Sequence, residues 1–357
     1  MAKKTFVLLG TRRGVFVGKS DLTRKKFAWK GPYLAGSNIF CAVRDPRNGW
    51  LYAGANNAHW GPAIQYSKDM GKTWVEAKVQ PRFAADSKAS VEAVWQIEPD
   101  TAEHPGCLYA GVAPAALFRS EDFGETWTEL TGLSTHETRP KWNPGNGGLC
   151  LHSILVDPRD GKHLLAAISA VGVFESFDRG VSWKLVNTNL SVFNPEDKDG
   201  PCSCIHKIAF AAGNPDRIYQ QNHVGVFKRE GQAGWTPIEK GLPSNFGFPM
   251  VAHPSDPDCA YVIPLKGGEN RAPIGGKLAV YRTRDAGKNW KPLRRGLPSP
   301  SYVGILRDAF ASDGLKRCGL YFGTTAGEVF TSHNEGDKWS CAATRLPGVN
   351  SVRAFAV

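Results

Sequence analysis

At 357 residues the chain can hold two ordinary domains or one repeat architecture. Its 41% hydrophobic and 22% charged residues are those of a soluble globular protein, and no apolar stretch approaches membrane-span length. Lys and Arg exceed Asp and Glu by 44 − 33 = 11, but in clusters as short as Arg24-Lys25-Lys26 and Arg294-Arg295, which reads as solvated surface and disfavours nucleic acid as a partner.

The first strand-like run, Phe6-Val-Leu-Leu-Gly10, is too short for a signal-peptide core, which predicts a cytoplasmic protein with no membrane association. The eight cysteines are then expected to be reduced thiols, and none sits in a paired Cys-x-x-Cys zinc pattern.

From there one octet recurs. Ser67-Lys-Asp69-Met-Gly71-Lys-Thr73-Trp74 is followed by Ser120 to Trp127, Ser176 to Trp183 and Thr283 to Trp290 on the same pattern. Ser332 to Trp339 is a fifth copy with Asn334 in the Asp slot, and Lys228 to Trp235 and Ser20-Asp21 leading to Trp29 are weaker echoes. The physics is that of a capped hairpin. The Asp carboxylate accepts backbone N–H groups of its own turn, Gly supplies positive φ, the hydroxyls bond locally and Trp plugs the neighbouring seam. Recurrence in every unit makes this aspartate a turn clamp rather than a catalytic acid.

The seven tryptophans that end these octets and their echoes are 45, 53, 56, 52, 55 and 49 residues apart, the spacing of propeller blades. Each unit reads as strand A, a turn at Asp45-Pro46, Asp157-Pro158, Asn214-Pro215 or His253-Pro254, strand B of the Leu-Tyr-Ala-Gly type, strand C, the box and strand D. The first unit starts at strand B, and Ser351 to Val357 is an orphan strand A that completes it. The expectation is an all-β, seven-bladed β-propeller in one domain, closed by the C-terminal strand. Blade 1 is 1–35 plus 349–357, and blades 2 to 7 are 36–88, 89–140, 147–195, 202–243, 244–299 and 300–348.

The octets resemble the Asp-box, or BNR, repeats of sialidases and related propellers, over essentially the whole chain. Leu151 to Asp157, Arg217 to His223 and Gly247 to Met250 are more closely similar to cytoplasmic bacterial BNR-repeat proteins without a settled activity. The resemblance implies the fold and is nearly silent about function. A sialidase-like glycoside hydrolase would need three carboxylate-binding arginines, a Tyr/Glu pair and an acid/base Asp. No Arg-Ile-Pro motif occurs near the N-terminus and no such set can be assigned.

A ring of histidines can be placed instead. His152 and His206 share one slot near the start of strand A in consecutive blades, with Phe40 and Phe248 in the same slot of blades 2 and 6. His223 ends a strand B, and His59 lies in a B–C loop. All four are expected at the pore mouth. His152, His206 and His223 form the expected metal trio, for one divalent transition ion (zinc, iron, copper or manganese), with a metal-free acid/base site as the alternative. Glu92 and His59 are the candidate catalytic groups, and Arg12, Arg13, Arg353, Trp60, Trp95, Gln221 and Asn222 the candidate substrate contacts. Cys150, Cys202 and Cys204 begin strand A segments on the same side, as ligand, nucleophile or inert buried thiol. The long loop Lys266 to Lys277 is either a lid or a surface excursion. The functional expectation is a cytoplasmic enzyme acting on a small polar or anionic molecule by metal-assisted hydrolysis or lyase chemistry. The other reading is a non-catalytic scaffold for a protein partner, similar to photosystem II assembly factors.

Overall fold

The computed structural model of the protein describes residues 3–190 and 200–357. Among these residues the chain builds seven four-stranded antiparallel sheets and almost no helix, the architecture of a seven-bladed β-propeller. The chain divides into two compact units, residues 33–205 and residues 1–32 with 206–357.

Residues 33–205 carry three sheets. The first is β4 (Asn38–Arg44), β5 (Leu51–Asn57), β6 (Gly61–Ser67) and β7 (Val75–Glu76). The second is β8 (Ala93–Pro99), β9 (Leu108–Ala113), β10 (Ala116–Ser120) and β11 (Thr128–Leu130), and the third β12 (Leu151–Val156), β13 (Leu164–Ile168), β14 (Gly172–Ser176) and β15 (Lys184–Leu185).

The other unit holds four. β28 (Val349–Ala356) pairs with β1 (Lys4–Thr11), followed by β2 (Gly14–Asp21) and β3 (Ala28–Tyr33), so the C-terminal strand completes the N-terminal sheet as expected. The next sheet is β16 (Ile205–Ala211), β17 (Asn214–Asn222), β18 (Gly225–Glu230) and β19 (Thr236–Pro237). The last two are β20 (Gly247–Ala252), β21 (Ala260–Pro264), β22 (Val280–Thr283) and β23 (Lys291–Leu293), then β24 (Phe310–Ser312), β25 (Leu320–Gly323), β26 (Val329–Ser332) and β27 (Ser340–Ala343). One expected turn moves. Asn214-Pro215 opens β17 rather than ending a strand A, because Gly213 takes the positive φ of 66° and the reversal precedes it.

The octets are capped hairpins. In the first, Asp69 Oδ1 accepts the N–H groups of Lys72 and Thr73, and Oδ2 accepts the Thr73 hydroxyl. Ser67 Oγ accepts the Gly71 N–H and donates to Asp69. Asn334 does the same work through Oδ1, accepting the Lys338 N–H and the Ser332 hydroxyl. The box glycines lie at φ of 83–90°, as the turn demands, and the preceding Met70, Phe123, Arg179, Ala286 and Glu335 are also left-handed at 54–61°. The tryptophan is more than an apolar plug. Its indole N–H donates to the box glycine carbonyl from Trp74, Trp127 and Trp183.

Buried strand-B tyrosines tie neighbouring sheets within each unit. Tyr52 donates to the Phe123 carbonyl and Tyr219 to the Pro257 carbonyl, while Tyr321 donates to Asp313 within its own sheet. Arginines add clips of the same kind, Arg47 to the carbonyls of Thr101, His104 and Cys107, and Arg24 to Asp313 and the Arg317 carbonyl.

Candidate functional site

The inner strands share a local irregularity. Register shifts near the start occur in β4 between Ile39 and Ala42, in β8 between Val94 and Gln96, and in β12 between Leu151 and Ser153. β20 shifts between Gly247 and Met250, and β28 where it passes Thr11. A bulge inserts one unpaired residue and re-aims its side chain. Trp95 and His152 are those residues in β8 and β12, and Phe40 and Phe248 lie within the shifted stretches.

His206 is the second residue of β16, as His152 is of β12, so the predicted slot equivalence holds. The division between the two units falls inside β16, and Cys204 lies on the run of chain that enters that strand. Among the described residues, Cys204, His206 and His223 form a group whose ligand atoms all lie within 4.8 Å of one another. His206 is 2% exposed and Cys204 9%, while His223, just past the end of β17, is half-buried.

An aromatic nest holds the pair. The His206 ring lies 5.4 Å from the His223 ring, stacks on Phe248 at 4.6 Å and meets Phe246 edge-on at 5.5 Å. His223 meets Phe246 edge-on at 4.9 Å. His206 Nδ1 lies 2.5 Å from the Gly247 carbonyl, a contact that requires the proton on Nδ1 and puts the ring lone pair on Nε2. Burial, with the Arg307 guanidinium and then His223 and Arg271, holds the His206 imidazole well below its ordinary range. Burial and Arg271 also lower His223. Both rings are therefore neutral near pH 7, the state in which imidazole is a ligand.

The other predicted site residues are placed as follows. His152, 2% exposed, has both ring nitrogens in contacts, Nε2 with the Ile205 carbonyl at 3.0 Å and Nδ1 with Ser153 Oγ at 3.2 Å, and the ligand group takes Cys204 in its place. Gln221 donates to the carbonyls of Asn222, Gly225 and Asn245, and Asn222 donates to Gln220, so these buried amides brace the β17–β18 hairpin. In residues 33–205, Glu92 is exposed, Trp95 stacks on Phe40 at 4.1 Å, and His59 and Trp60 form an exposed turn with Trp60 84% accessible. Arg12 and Arg13 are exposed in the β1–β2 turn.

Arg353 is engaged elsewhere. Its Nη2 lies 2.9 Å from Asp308 Oδ2, and Lys207 Nζ reaches Asp308 Oδ1 at 2.5 Å. Burial pushes the Asp308 carboxyl up, and the two cations outweigh it and leave it below the ordinary range. Neither Asp308 nor Lys207 stands out in the sequence. Lys207 follows His206 on β16 and, by strand alternation, leaves on the opposite face, the one signal that pointed to it.

Residues 117–130 match the BNR-Asp box repeat family. A curated relative, a probable oligoxyloglucan-reducing end-specific xyloglucanase of Neosartorya fischeri, is 21% identical over 339 residues, 93% of this chain and 36% of that protein. The chain thus spans about a third of that relative's length. Among solved structures, a periplasmic gluconolactonase of Pseudomonas aeruginosa is similar at 14% identity and a TM-score of 0.58, over 98% of this chain and 99% of that one. YCF48 bound to D1 peptide is similar at 14% identity and a TM-score of 0.56, over 86% of this chain and 82% of that one. At such identities the structural likeness establishes the fold alone. With the seven four-stranded sheets, it makes the chain a seven-bladed β-propeller, in which residues 117–130 match the BNR-Asp box repeat.

Proposed function

We propose that the protein is a metal-dependent hydrolase of a small polar molecule, with Cys204, His206 and His223 as the ligands of one divalent transition ion. The observation that carries the reading is the convergence of one thiol and two imidazoles within 4.8 Å. The Nδ1–H of His206 on the Gly247 carbonyl is the outer-shell contact that orients a ligating imidazole. A thiolate with two imidazoles suits zinc first, with copper and iron as competitors, and suits manganese least. When bound, such an ion brings the pKa of a coordinated water to about 7. Held by these three side chains, the ion would supply a hydroxide for addition to an electrophilic carbon of the substrate, the leaving group departing with the proton that the water gave up. Phe246 and Phe248 make the apolar wall that keeps the site dry and the imidazoles neutral.

A relative named as a xyloglucanase and a structural neighbour named as a gluconolactonase are both hydrolases in name, which supports the reaction class and leaves the substrate open. A thiolate ligand needs a reducing compartment, which favours the cytoplasm. The scaffold reading is the second one, favoured by the likeness to YCF48 bound to a peptide.

The deciding experiment is elemental analysis of untagged protein, wild type against Cys204→Ser and His223→Ala, with circular dichroism to verify the fold. About one equivalent of metal in wild type and a clear loss in both folded variants supports the proposal. Metal-free wild type that takes up none on reconstitution ends it, and peptide pull-down then tests the scaffold.

A further inference from the structure

The connection between β21 and β22 runs from 265 to 279, whereas the equivalent turns in other sheets occupy only 58–60, 114–115, 169–171 and 223–224. This long loop is fastened. Leu265 N–H donates to the Phe246 carbonyl, Lys266 N–H to the Ala272 carbonyl and Ser301 N–H to the Gly276 carbonyl, each at 2.8 Å. Leu265, Ala272 and Leu278 are buried beneath it. Near its tip Arg271 sits at a φ of 44°, in the left-handed region that costs a residue with a side chain of the order of 1–2 kcal/mol.

The Arg271 side chain and the metal-ligand group share a neighbour, Phe248. The Arg271 guanidinium lies 5.7 Å from the Phe248 ring centroid, and His206 stacks on the same ring at 4.6 Å. Nε donates to the Gly268 carbonyl at 3.3 Å, which fixes the plane of the head. Among the described residues Arg271 makes no ion pair, and its Nη groups donate no hydrogen bond. Arg24, Arg47 and Arg217 all spend their forks on carboxylates and carbonyls.

We infer that Arg271 is an oxyanion receptor, so that the substrate of the Cys204–His206–His223 site is a small molecule carrying a carboxylate or phosphate beside the bond that is cleaved. The inference rests on the metal-site reading above. A planar fork with its Nη donors exposed takes two oxygens of such a group side by side, which a lysine cannot match. The Phe248 ring beside the guanidinium and the Nε–H bond to the Gly268 carbonyl hold the exposed fork in place. The loop is then a fixed arm bearing one specificity-determining residue.

The test uses full-length protein loaded with cobalt(II), as wild type, Arg271→Ala and Arg271→Lys, titrated separately with inorganic phosphate and with acetate while the d–d absorption is recorded. The expected result is equal cobalt uptake in all three, and oxyanion binding at least tenfold weaker in Arg271→Ala and partly retained in Arg271→Lys. Preference for acetate identifies a carboxylate substrate, and preference for phosphate a phosphorylated one. Equal binding of both oxyanions by wild type and Arg271→Ala, or none by wild type, overturns the inference while a normal cobalt spectrum leaves the metal reading standing. If wild type takes up no cobalt, the metal reading falls, and calorimetric titration of the metal-free proteins decides. Phosphate or acetate heats lost in Arg271→Ala sustain the receptor, and heats unchanged or absent overturn it.

Discussion

His206 Nδ1 reaches the Gly247 carbonyl at 2.5 Å across two neighbouring sheets, from the second residue of β16 to the first of β20. This contact sets both the tautomer and the angle of the ring, and it does so with backbone, which a side-chain substitution nearby leaves in place. A ligand ion that binds only the folded protein stabilises it by about 2.7 kcal/mol at a free concentration of roughly 100 times its Kd. Zinc added to chelator-treated wild type is therefore expected to raise Tm, with the rise abolished in His223→Ala. An equal rise in both proteins would locate the zinc somewhere else.

The box aspartates predict how the fold fails in acid. Asp69 is held at about 2 by the Thr73 N–H and hydroxyl, with Ser67 and Lys72 adding to them. Burial alone would raise Asp122 and Asp178, but hydrogen bonds from Thr126 and Ser182 outweigh it and both lie below the ordinary value. Asp285 is lowered chiefly by the Asn289 side chain. A carboxyl whose folded pKa lies below its unfolded value contributes stability above the unfolded value, about 3.9, and loses it as pH falls through the folded one. Tm is expected to be flat from neutral pH down to about 4.5 and to drop between about 4 and 2. Asn334, the amide in the fifth box, has no such dependence. Converting Asp122 to Asn should flatten part of the drop, and an unchanged acid limb in that variant would refute the clamp account.

The boxes and blade count were legible because each is a local, repeated solution to one turn problem: Asp, Gly and Trp at fixed spacing have few other uses. The histidine slot was legible for the same reason, since His152 and His206 are each the second residue of their strand. Their partners were not. Cys204 rather than His152 brings a ligand-type atom within 4.8 Å of those of His206 and His223, and that depends on which way a strand enters its sheet, a matter of tertiary placement. Asp308 joins Lys207 and Arg353 across 101 and 45 residues, a pairing no local pattern carries. Gln221 and Asn222, expected as substrate contacts, are spent inside the protein, Gln221 on the carbonyls of Asn222, Gly225 and Asn245 and Asn222 on Gln220 Oε1, demands that only the folded chain reveals.

The tryptophans allow a sharper test than a simple truncation. Trp127 donates through Nε1 to the Gly124 carbonyl, whereas the equally buried Trp339 has no partner for that N–H among the described residues. Trp→Phe removes similar volume at both sites, so the difference isolates the hydrogen bond. Trp127→Phe is expected to be more destabilising than Trp339→Phe by about 1 kcal/mol in urea unfolding, and either Trp→Ala to cost about 3–5 kcal/mol. Equal losses for the two phenylalanine variants would mean that the indole bond adds nothing net.

The clip between the first and last sheets rests on Arg24 and Asp313. Arg24 Nη1 lies 3.0 Å from Asp313 Oδ2 and 2.8 Å from the Arg317 carbonyl, with both side chains almost fully covered. Asp313 also accepts the Tyr321 hydroxyl and the N–H groups of Leu315 and Gly319. Arg24→Met strands a buried carboxylate and is expected to cost about 3–5 kcal/mol, while replacing both members costs less because no lone charge remains. The double variant Arg24→Met with Asp313→Asn should therefore recover a substantial part of the single variant's loss. Asparagine keeps an acceptor for the backbone N–H groups, so a double variant as unstable as the sum of the singles would show that the pair acts through packing alone. Because the pair ties the β2–β3 connection to the β24–β25 connection, hydrogen exchange in β2 and β3 should rise in Arg24→Met ahead of exchange in β12 and β13, and uniform acceleration would indicate global rather than local opening.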